Sequence, residues 1–403
     1  MDSQQSVTDR PIASPGTAKA GRLIGIDVAR GCAVLGMFAT HLGPQDPHNW
    51  LQQLFNGRAA GLFALLAGVS VALISGGSRV RTGVELRSRR IQLGVRALLL
   101  LLLGLSLSAL GTTVKEILSV YAVLFLIAIP LLRLRTAALA WCAAISAVVG
   151  PVVSFLLRST VLAGYTSGVT PQFGDLTSIH GWARLVEGLV VTGPFPVLTW
   201  IPFLFAGMAI GRSDLKSWAT QLRVLVIGVA LAVGAYAASW AIMGPLGGWR
   251  AVADSLHVSI DQAHDAAASG LGAVPTSSPL FLLDTAGHSG SPMEIIAVTG
   301  CALAVIGASL LLASRLPLPF LPLASVGALP LTAYAGHIVL IALMEYGILP
   351  GAGEAILAGS YLPLLVTVVV TLVVLTLWRM LLGRGPLEWL LYRLSSAPAK
   401  LVS

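Results

Sequence analysis

The chain of 403 residues is 56% hydrophobic and only 10% charged, and its mean hydropathy is +0.86. A soluble domain carries about 25% charged residues, so this composition excludes a soluble globular enzyme, a disordered protein and a disulfide-stapled secreted module. The formal net charge of +8 suits either a nucleic-acid partner or a membrane protein with basic loops. The three cysteines, Cys32, Cys142 and Cys301, lie in apolar runs without metal-ligand spacing, so no metal site is predicted.

Ten apolar runs approach the ~20 residues that a helix needs to cross a bilayer. They predict an all-α, polytopic membrane bundle of about ten transmembrane helices, near residues 23–43, 58–77, 91–110, 116–132, 137–157, 187–211, 222–243, 294–313, 323–348 and 358–382. The fourth run is short, and prolines interrupt the sixth at Pro194, Pro196 and Pro202. We predict a flexible cytoplasmic tail over 1–21, a single transmembrane domain over 22–395 and a second cytoplasmic tail over 396–403.

The basic residues predict the orientation of the bundle. With ten spans, both termini and most of the 25 Lys and Arg residues fall on one side of the membrane. Only five fall on the other side, namely Arg58, Lys115, Arg158, Arg184 and Arg250. Cytoplasmic loops carry the Lys and Arg excess, so we predict cytoplasmic termini in a multi-pass protein of the plasma membrane. This split explains the net charge without a nucleic acid, and it places basic loops against anionic membrane lipids.

Two longer loops, at about 158–186 and 244–293, are predicted on the extracytoplasmic side. Loops of this length that contain a helical pattern of their own often form lids or binding surfaces. A solvated cap over the outer mouth of the bundle is the alternative.

The first predicted span carries Asp27, Arg30 and His41. An ionisable side chain at the centre of a membrane helix costs at least about 2.5 kcal/mol unless it is paired. Arg30 and His41 are eleven residues apart, which returns to nearly the same helix face and separates them by about 16 Å along the axis. We therefore predict one polar stripe that faces the bundle interior, with an Asp27–Arg30 pair near the cytoplasm and an imidazole in the outer half. The alternatives are an anchor at the inner headgroups for the pair and a bond to a neighbouring carbonyl for the histidine.

Further polar candidates lie on the predicted extracytoplasmic side. The loop after the first span holds His48, and the second span begins near Asn56 and Arg58. In the ninth span, Tyr334 and His337 lie three residues apart on one helix face. A histidine is the usual general base near neutral pH, whereas Arg58, Tyr334 and His337 are candidate donors to an oxyanion. An interhelical hydrogen bond is the structural alternative for His337.

Four sequence blocks carry a resemblance to a known family. The stretch Gly25-Ile26-Asp27-Val28-Ala29-Arg30-Gly31 resembles the opening of the heparan-α-glucosaminide N-acetyltransferase-like family. The run from Gly57 to Gly68 resembles the second helix of bacterial relatives, and 331–334 and 385–389 are similar to their closing part. The resemblance covers both ends of the membrane domain and is vague between about 110 and 290.

The resemblance implies a transmembrane acyltransferase that moves an acyl group, expected to be acetyl, from cytosolic acyl-CoA to an extracytoplasmic sugar amine or hydroxyl. Asp27 and Arg30 match the family's Asp-x-x-Arg-Gly motif. His41 falls where the animal enzyme of the family has an active-site asparagine, and His48 is the nearest match to that enzyme's catalytic histidine. The implied catalytic set is therefore Asp27, Arg30, His41 and His48, and either histidine is a candidate base.

Residues and resemblance together predict that Asn56, Arg58, Tyr334 and His337 bind substrates. The predicted substrates are acetyl-CoA or another acyl-CoA and a glycan, glycolipid or amino-sugar acceptor; direct transfer and an acyl-histidine intermediate both fit. The competing hypothesis is a transporter or flippase for an envelope lipid or small anion, which would use the proline-broken sixth helix and the same stripe. A non-catalytic membrane partner is a third hypothesis. Lipid-facing small residues also leave a homodimer open.

Overall fold

The computed structural model of the protein describes residues 23–46, 48–162 and 170–400. Helices make up 75% of the chain, and no strand occurs in the described residues, which confirms the all-α fold. The predicted tail over 1–21 lies outside the described residues, whereas 396–400 of the second predicted tail continue the last helix.

Seventeen α-helices follow one another in the described part of the chain: α1 Ile24–Leu42, α2 Trp50–Phe55, α3 Arg58–Ile74, α4 Gly83–Ser108, α5 Leu118–Leu131, α6 Thr136–Thr160, α7 Ile179–Glu187, α8 Val197–Gly211, α9 Trp218–Met243, α10 Gly248–Leu256, α11 Ile260–Ala268, α12 Pro292–Arg315, α13 Leu321–Ala328, α14 Pro330–Glu345, α15 Ala352–Leu357, α16 Leu362–Leu381 and α17 Pro386–Lys400. Short 3₁₀ helices cover Phe173–Thr177 and Pro279–Leu283, and a π-helical turn covers Gly188–Thr192.

Helices occupy all ten predicted spanning positions. Six helical segments are long and apolar enough to cross a membrane, or eight if each of two bent pairs counts as one span. Helix α1 and the 14-residue α5 lie at the two remaining positions, so the count of ten spans and the orientation stay predictions. The break in the sixth run, predicted from its prolines, bends the chain by 59° before α8. A second bend of 82°, between α13 and α14, was not predicted; Pro330 begins α14 there, and a proline disfavours helix in the residue before it.

Helix α1 lies inside the bundle, in contact with α3, α12, α13, α14 and α16. Its Asp27 is buried, and the Arg30 guanidinium donates to Asp27 Oδ1 at 3.0 Å and to Ser70 Oγ on α3 at 2.9 Å. The polar stripe of α1 therefore faces the interior of the protein. We call the two ends of the bundle the Asp27 end and the His41 end, after the residues of α1 that mark them.

Glycines allow the central helices to approach backbone to backbone. A Cβ on Gly327 of α13 would lie 1.7 Å from the carbonyl oxygen of Asp27, and one on Gly31 would lie 2.2 Å from that of Leu323. Helices α3 and α8 meet in the same way, because a Cβ on Gly207 would lie 1.9 Å from the Leu65 carbonyl oxygen. Small residues at helix contacts are a common packing device within membranes.

The predicted loop 244–293 carries its own small core at the His41 end. Helices α10 and α11 and the following segment bury a cluster of apolar side chains: Met243, Val252, Ala253, Ala263, Ala267, Val274 and Phe281. The loop is bound to the membrane helices, since Thr199 Oγ1 of α8 donates to the Gly272 carbonyl at 2.9 Å. In the other predicted loop, residues 163–169 lie outside the described residues.

The α3–α8 contact gives the first prediction. Gly207→Ala is expected to destabilise the protein by about 1–3 kcal/mol, because its Cβ overlaps a backbone atom that cannot rotate away. Gly234→Ala on α9 is the matched control: its Cβ would meet nothing within 4 Å, and replacing a helical glycine by alanine favours the helix by about 0.5–1 kcal/mol. Thermal unfolding midpoints in detergent compare the two; equal midpoints would contradict the packing.

Candidate functional site

Two histidines from different helices pair at the His41 end. His41 Nδ1 of α1 lies 3.1 Å from His337 Nε2 of α14, and the two ring planes differ by only 1°. His337 is only 2% exposed. Because one ring must donate and the other accept, the pair fixes the orientation of the His41 imidazole. The interhelical bond considered for His337 is therefore present, and it joins two predicted site residues.

A third histidine, His288, enters the same region from the loop before α12. A pocket of about 30 Å³ is lined by His41, His288, Tyr334 and Lys115, among others. The His288 ring packs against Phe195, with 5.7 Å between ring centroids, and its Nδ1 has no hydrogen-bond partner in the part of the chain that the structure describes. Burial lowers the pKa of His288 to about 4, so the ring is neutral at neutral pH. This histidine, in the predicted loop 244–293, is absent from the residues that the sequence predicted for the site.

Glu294, in the first turn of α12, holds the loop that carries His288. Its carboxylate accepts the backbone N–H groups of His288 and Gly290, both at 2.6 Å, and the Ser289 hydroxyl at 3.3 Å. These bonds stabilise the left-handed backbone of His288, whose φ of 60° is unusual for a residue with a side chain. The sequence Ser291-Pro-Met-Glu294 resembles a capping box, which signals a helix start but not where the preceding histidine points.

A larger polar cavity of about 460 Å³ opens beside this pocket. Asn56, Arg58, Tyr236 and Glu294 line it. Arg58 Nε donates to the Tyr236 hydroxyl at 2.7 Å, and its guanidinium lies 5.1 Å from the centre of that ring. The structure thus brings the predicted residues Asn56 and Arg58 together, but in this cavity rather than around the His41 ring.

The predicted alternative base, His48, is not part of the pocket of His41. It is exposed on the loop after α1, where its backbone N–H donates to Asp46 Oδ1 at 2.9 Å. Among the residues that the structure describes, no group of three or more His, Cys, Asp or Glu residues is arranged to hold a metal ion.

The Asp27 end contains a basic cavity of about 370 Å³. Its lining includes Arg30, Ser70, Arg96, Tyr121 and the carboxylate of Glu388, together with apolar side chains. Arg96 of α4 donates through Nε to Ser395 Oγ of α17 at 3.3 Å, which orients its guanidinium. The buried Tyr121 hydroxyl finds no partner among the described residues, and an unmade hydrogen bond of this kind costs about 1–3 kcal/mol. The cavity therefore offers the Arg96 guanidinium and an unsatisfied hydroxyl to a ligand, beside an Arg30 that is paired with Asp27.

Three stacked rings separate the two ends, and we call Phe63, Tyr121 and Tyr334 the aromatic layer. The Phe63 ring lies 5.7 Å from that of Tyr121 and 6.0 Å from that of Tyr334, centroid to centroid. Phe63 and Tyr121 line the cavity at the Asp27 end, and Tyr334 lines the pocket of His41. Arg30 and His41 thus lie on the inward-facing stripe of α1, but the cavity of Arg30 and the pocket of His41 are separate spaces.

The arrangement can support proton transfer next to an anion. The Tyr334 hydroxyl accepts the Ile117 backbone N–H at 3.1 Å, which leaves its own proton for a further acceptor. Lys115 adds a cation to the same pocket. A neutral imidazole beside a hydroxyl donor and an ammonium group provides a base and stabilisation for an oxyanion.

A comparison with known families matches this chain to one of them. The family model described as "Heparan-alpha-glucosaminide N-acetyltransferase, catalytic" matches residues 22–238, more than half of the chain. The matched range includes α1 with Asp27, Arg30 and His41, whereas His288 and His337 lie beyond it. No curated protein matches the chain.

The buried His288 gives a prediction about pH. Its pKa of about 4 in the folded protein lies below the ~6.5 of an unfolded histidine, so between these values only the unfolded chain binds the proton. Stability is therefore expected to fall as the pH is lowered, by about 2 kcal/mol between pH 7 and pH 5 from this residue.

His288→Gln is expected to remove that part of the pH dependence, measured from unfolding midpoints at the two pH values. The control is His180→Gln, which replaces an exposed histidine. The assignment fails if His288→Gln keeps the wild-type slope.

Proposed function

The chain belongs to the heparan-alpha-glucosaminide N-acetyltransferase catalytic family, and on this basis we propose that it acetylates a sugar amine or hydroxyl across a membrane. Membership supports a transmembrane acetyltransferase in general; the donor, the acceptor and the face are our proposal. Acetyl-CoA binds at the Asp27 end, which is cytoplasmic, and the acceptor binds at the His41 end. One observation carries the proposal: a basic cavity and an imidazole pocket face each other across a single aromatic layer.

The charges at the Asp27 end support a donor site there. Coenzyme A carries phosphate groups, and guanidinium groups match phosphate oxygens in geometry and charge. Arg30 already bonds Asp27 and Ser70, so Arg96 is the stronger candidate for a phosphate contact. Arg30 then forms the wall of the donor cavity, and its pairing with Asp27 lets a cation sit in that wall at low cost.

The pantetheine arm passes the aromatic layer beside Phe63. The unpartnered hydroxyl of Tyr121 offers a hydrogen bond to an amide of that arm at the level of the layer. The pocket of His41 has a volume of only about 30 Å³, against about 370 Å³ for the cavity at the Asp27 end. Binding of the thioester therefore requires the Phe63 and Tyr334 rings to move apart.

Transfer then proceeds in the pocket of His41. The acceptor nitrogen or oxygen attacks the thioester carbonyl, and His41 takes the proton that the nucleophile loses. Tyr334 and Lys115 donate to the oxyanion. The carbon–sulfur bond breaks, the coenzyme A thiolate leaves, and the His41 imidazolium returns the proton to that sulfur. His337 positions the His41 ring through the 3.1 Å bond.

The choice of base is tested by substituting each histidine. His41→Gln is expected to lower kcat about 10²–10⁴-fold, the usual contribution of a general base, while His48→Gln changes it less than about twofold because that side chain lies outside the pocket. Radiolabelled acetyl-CoA and glucosamine with purified protein measure the rates. Full activity in His41→Gln, or a comparable loss in His48→Gln, would overturn the assignment.

The donor site is tested at Arg96. Arg96→Gln is expected to raise KM for acetyl-CoA about tenfold, the scale of one lost charge-assisted contact of about 1.4 kcal/mol. Arg315→Gln, at the exposed end of α12, is the matched control and should leave KM unchanged.

Sealed proteoliposomes distinguish the proposal from a transporter. With acetyl-CoA on one side and glucosamine on the other, the enzyme yields covalently acetylated sugar; a transporter moves a solute without forming a product.

A further inference from the structure

An apolar groove runs along the outside of α14, on the far side of His337 from His41. It has a volume of about 590 Å³ and lies between α14, α15 and α16. We call it the α14–α16 groove, with Gly336 and His337 at its floor and Val366, Val370 and Val374 along its α16 wall. Helix α16 packs against α13 and α1, and the groove occupies the space between α16 and α14.

The groove is open to the surroundings of the bundle. The three valines of its wall follow one another at intervals of four residues, and each is about half exposed. At its floor, a Cβ placed on Gly336 would meet no atom within 4 Å. Lining residues extend along α14 from Thr332 to Met344, which is about 18 Å of helix. At membrane depth, such an opening admits hydrocarbon chains from the lipid.

The same groove meets the candidate site. Phe38 and His337 belong to its lining, and His337 bonds His41 on its other side. One imidazole therefore separates the groove from the His41 ring. A molecule held in the groove has its polar end within reach of the pocket once the side chains in this wall move.

The character of the lining indicates which substrate uses the groove. Apart from His337 and three threonines, the groove is lined by apolar side chains and glycines, which suit a hydrocarbon chain and offer little to a sugar. An acetyl group has no chain to place there, and the polar coenzyme fits the basic cavity at the Asp27 end. The acceptor is the remaining substrate.

We propose that the acetyl acceptor is lipid-linked, with its hydrocarbon chain in the α14–α16 groove and its sugar headgroup at the pocket of His41. This inference rests on the proposed function and adds the substrate class. It also makes the groove a specificity determinant, because a water-soluble sugar gains nothing from it.

Two acceptors that differ only in the chain test the proposal. In nanodiscs, kcat/KM for acetyl transfer to n-dodecyl glucosaminide is compared with that for free glucosamine. Gly336→Leu places a side chain in the open space at the groove floor. It is expected to lower the ratio of kcat/KM for the dodecyl acceptor to kcat/KM for glucosamine about tenfold or more, because the leucine occupies the space of the hydrocarbon chain. Gly234→Leu on α9 is the matched control, because it also adds a side chain to an exposed helical glycine with open space around it. Partitioning of the probe into lipid is the same for both variants, so only occupancy of the groove separates them.

Direct labelling makes the test independent of turnover. A dodecyl glucosaminide with a diazirine at the chain end is expected to label α14 and α16 along the groove, and to lose most of that labelling in Gly336→Leu but not in Gly234→Leu. Three outcomes overturn the proposal. They are labelling spread evenly over the lipid-facing helices, labelling that phosphatidylglycerol displaces as well as unlabelled dodecyl glucosaminide does, and a Gly336→Leu protein that behaves as wild type. Labelling in the groove without acetyl transfer to any sugar overturns the proposed function instead. Transfer with an unchanged ratio in Gly336→Leu overturns only the groove.

Discussion

A charged side chain inside a membrane must be paired or must face a polar cavity, and this constraint places α1 at the centre of the protein. Asp27, Arg30 and His41 lie along one stripe of α1, so this face of the helix cannot turn to lipid at low cost. The surrounding helices provide a partner for each group. Arg30 donates to Ser70 on α3 and lines the basic cavity, and His41 is hydrogen-bonded to His337 on α14. The candidate donor and acceptor sites are therefore built on the two ends of the same helix.

The aromatic layer lies between the two candidate sites and keeps them apart. With the rings stacked, the basic cavity and the imidazole pocket are separate spaces, and the pocket is too small for a thioester. In the proposed function, a ligand that inserts between Phe63 and Tyr334 joins them, and a coenzyme with a long narrow arm has a suitable shape. A barrier that opens only around its substrate also keeps water from the reactive carbonyl. That geometry suits the proposed acetyl transfer between two compartments without passage of either substrate.

Helix positions and the interior stripe were predictable because apolar length and helical period are local properties of the sequence. The bend at Pro330 was missed because a hydropathy window averages across a proline in an apolar run. Phe63 belongs to the aromatic layer because α5 and α14 place Tyr121 and Tyr334 beside its ring. In the sequence alone, Phe63 is one apolar residue among many in an apolar run. His288 resembles the other loop histidines until Glu294 folds its loop into the pocket. His48 is the reverse case: the family resemblance favoured it, but its loop leaves it exposed.

A structure of the protein with a non-hydrolysable acetyl-CoA analogue bound tests the central claim most directly. The account predicts the nucleotide beside Arg30 and Arg96, the pantetheine arm between displaced rings of Phe63 and Tyr334, and the acetyl carbonyl in contact with the His41 pocket. An analogue bound with its acetyl group on the Asp27 side of an intact aromatic layer, or bound away from both cavities, would contradict it.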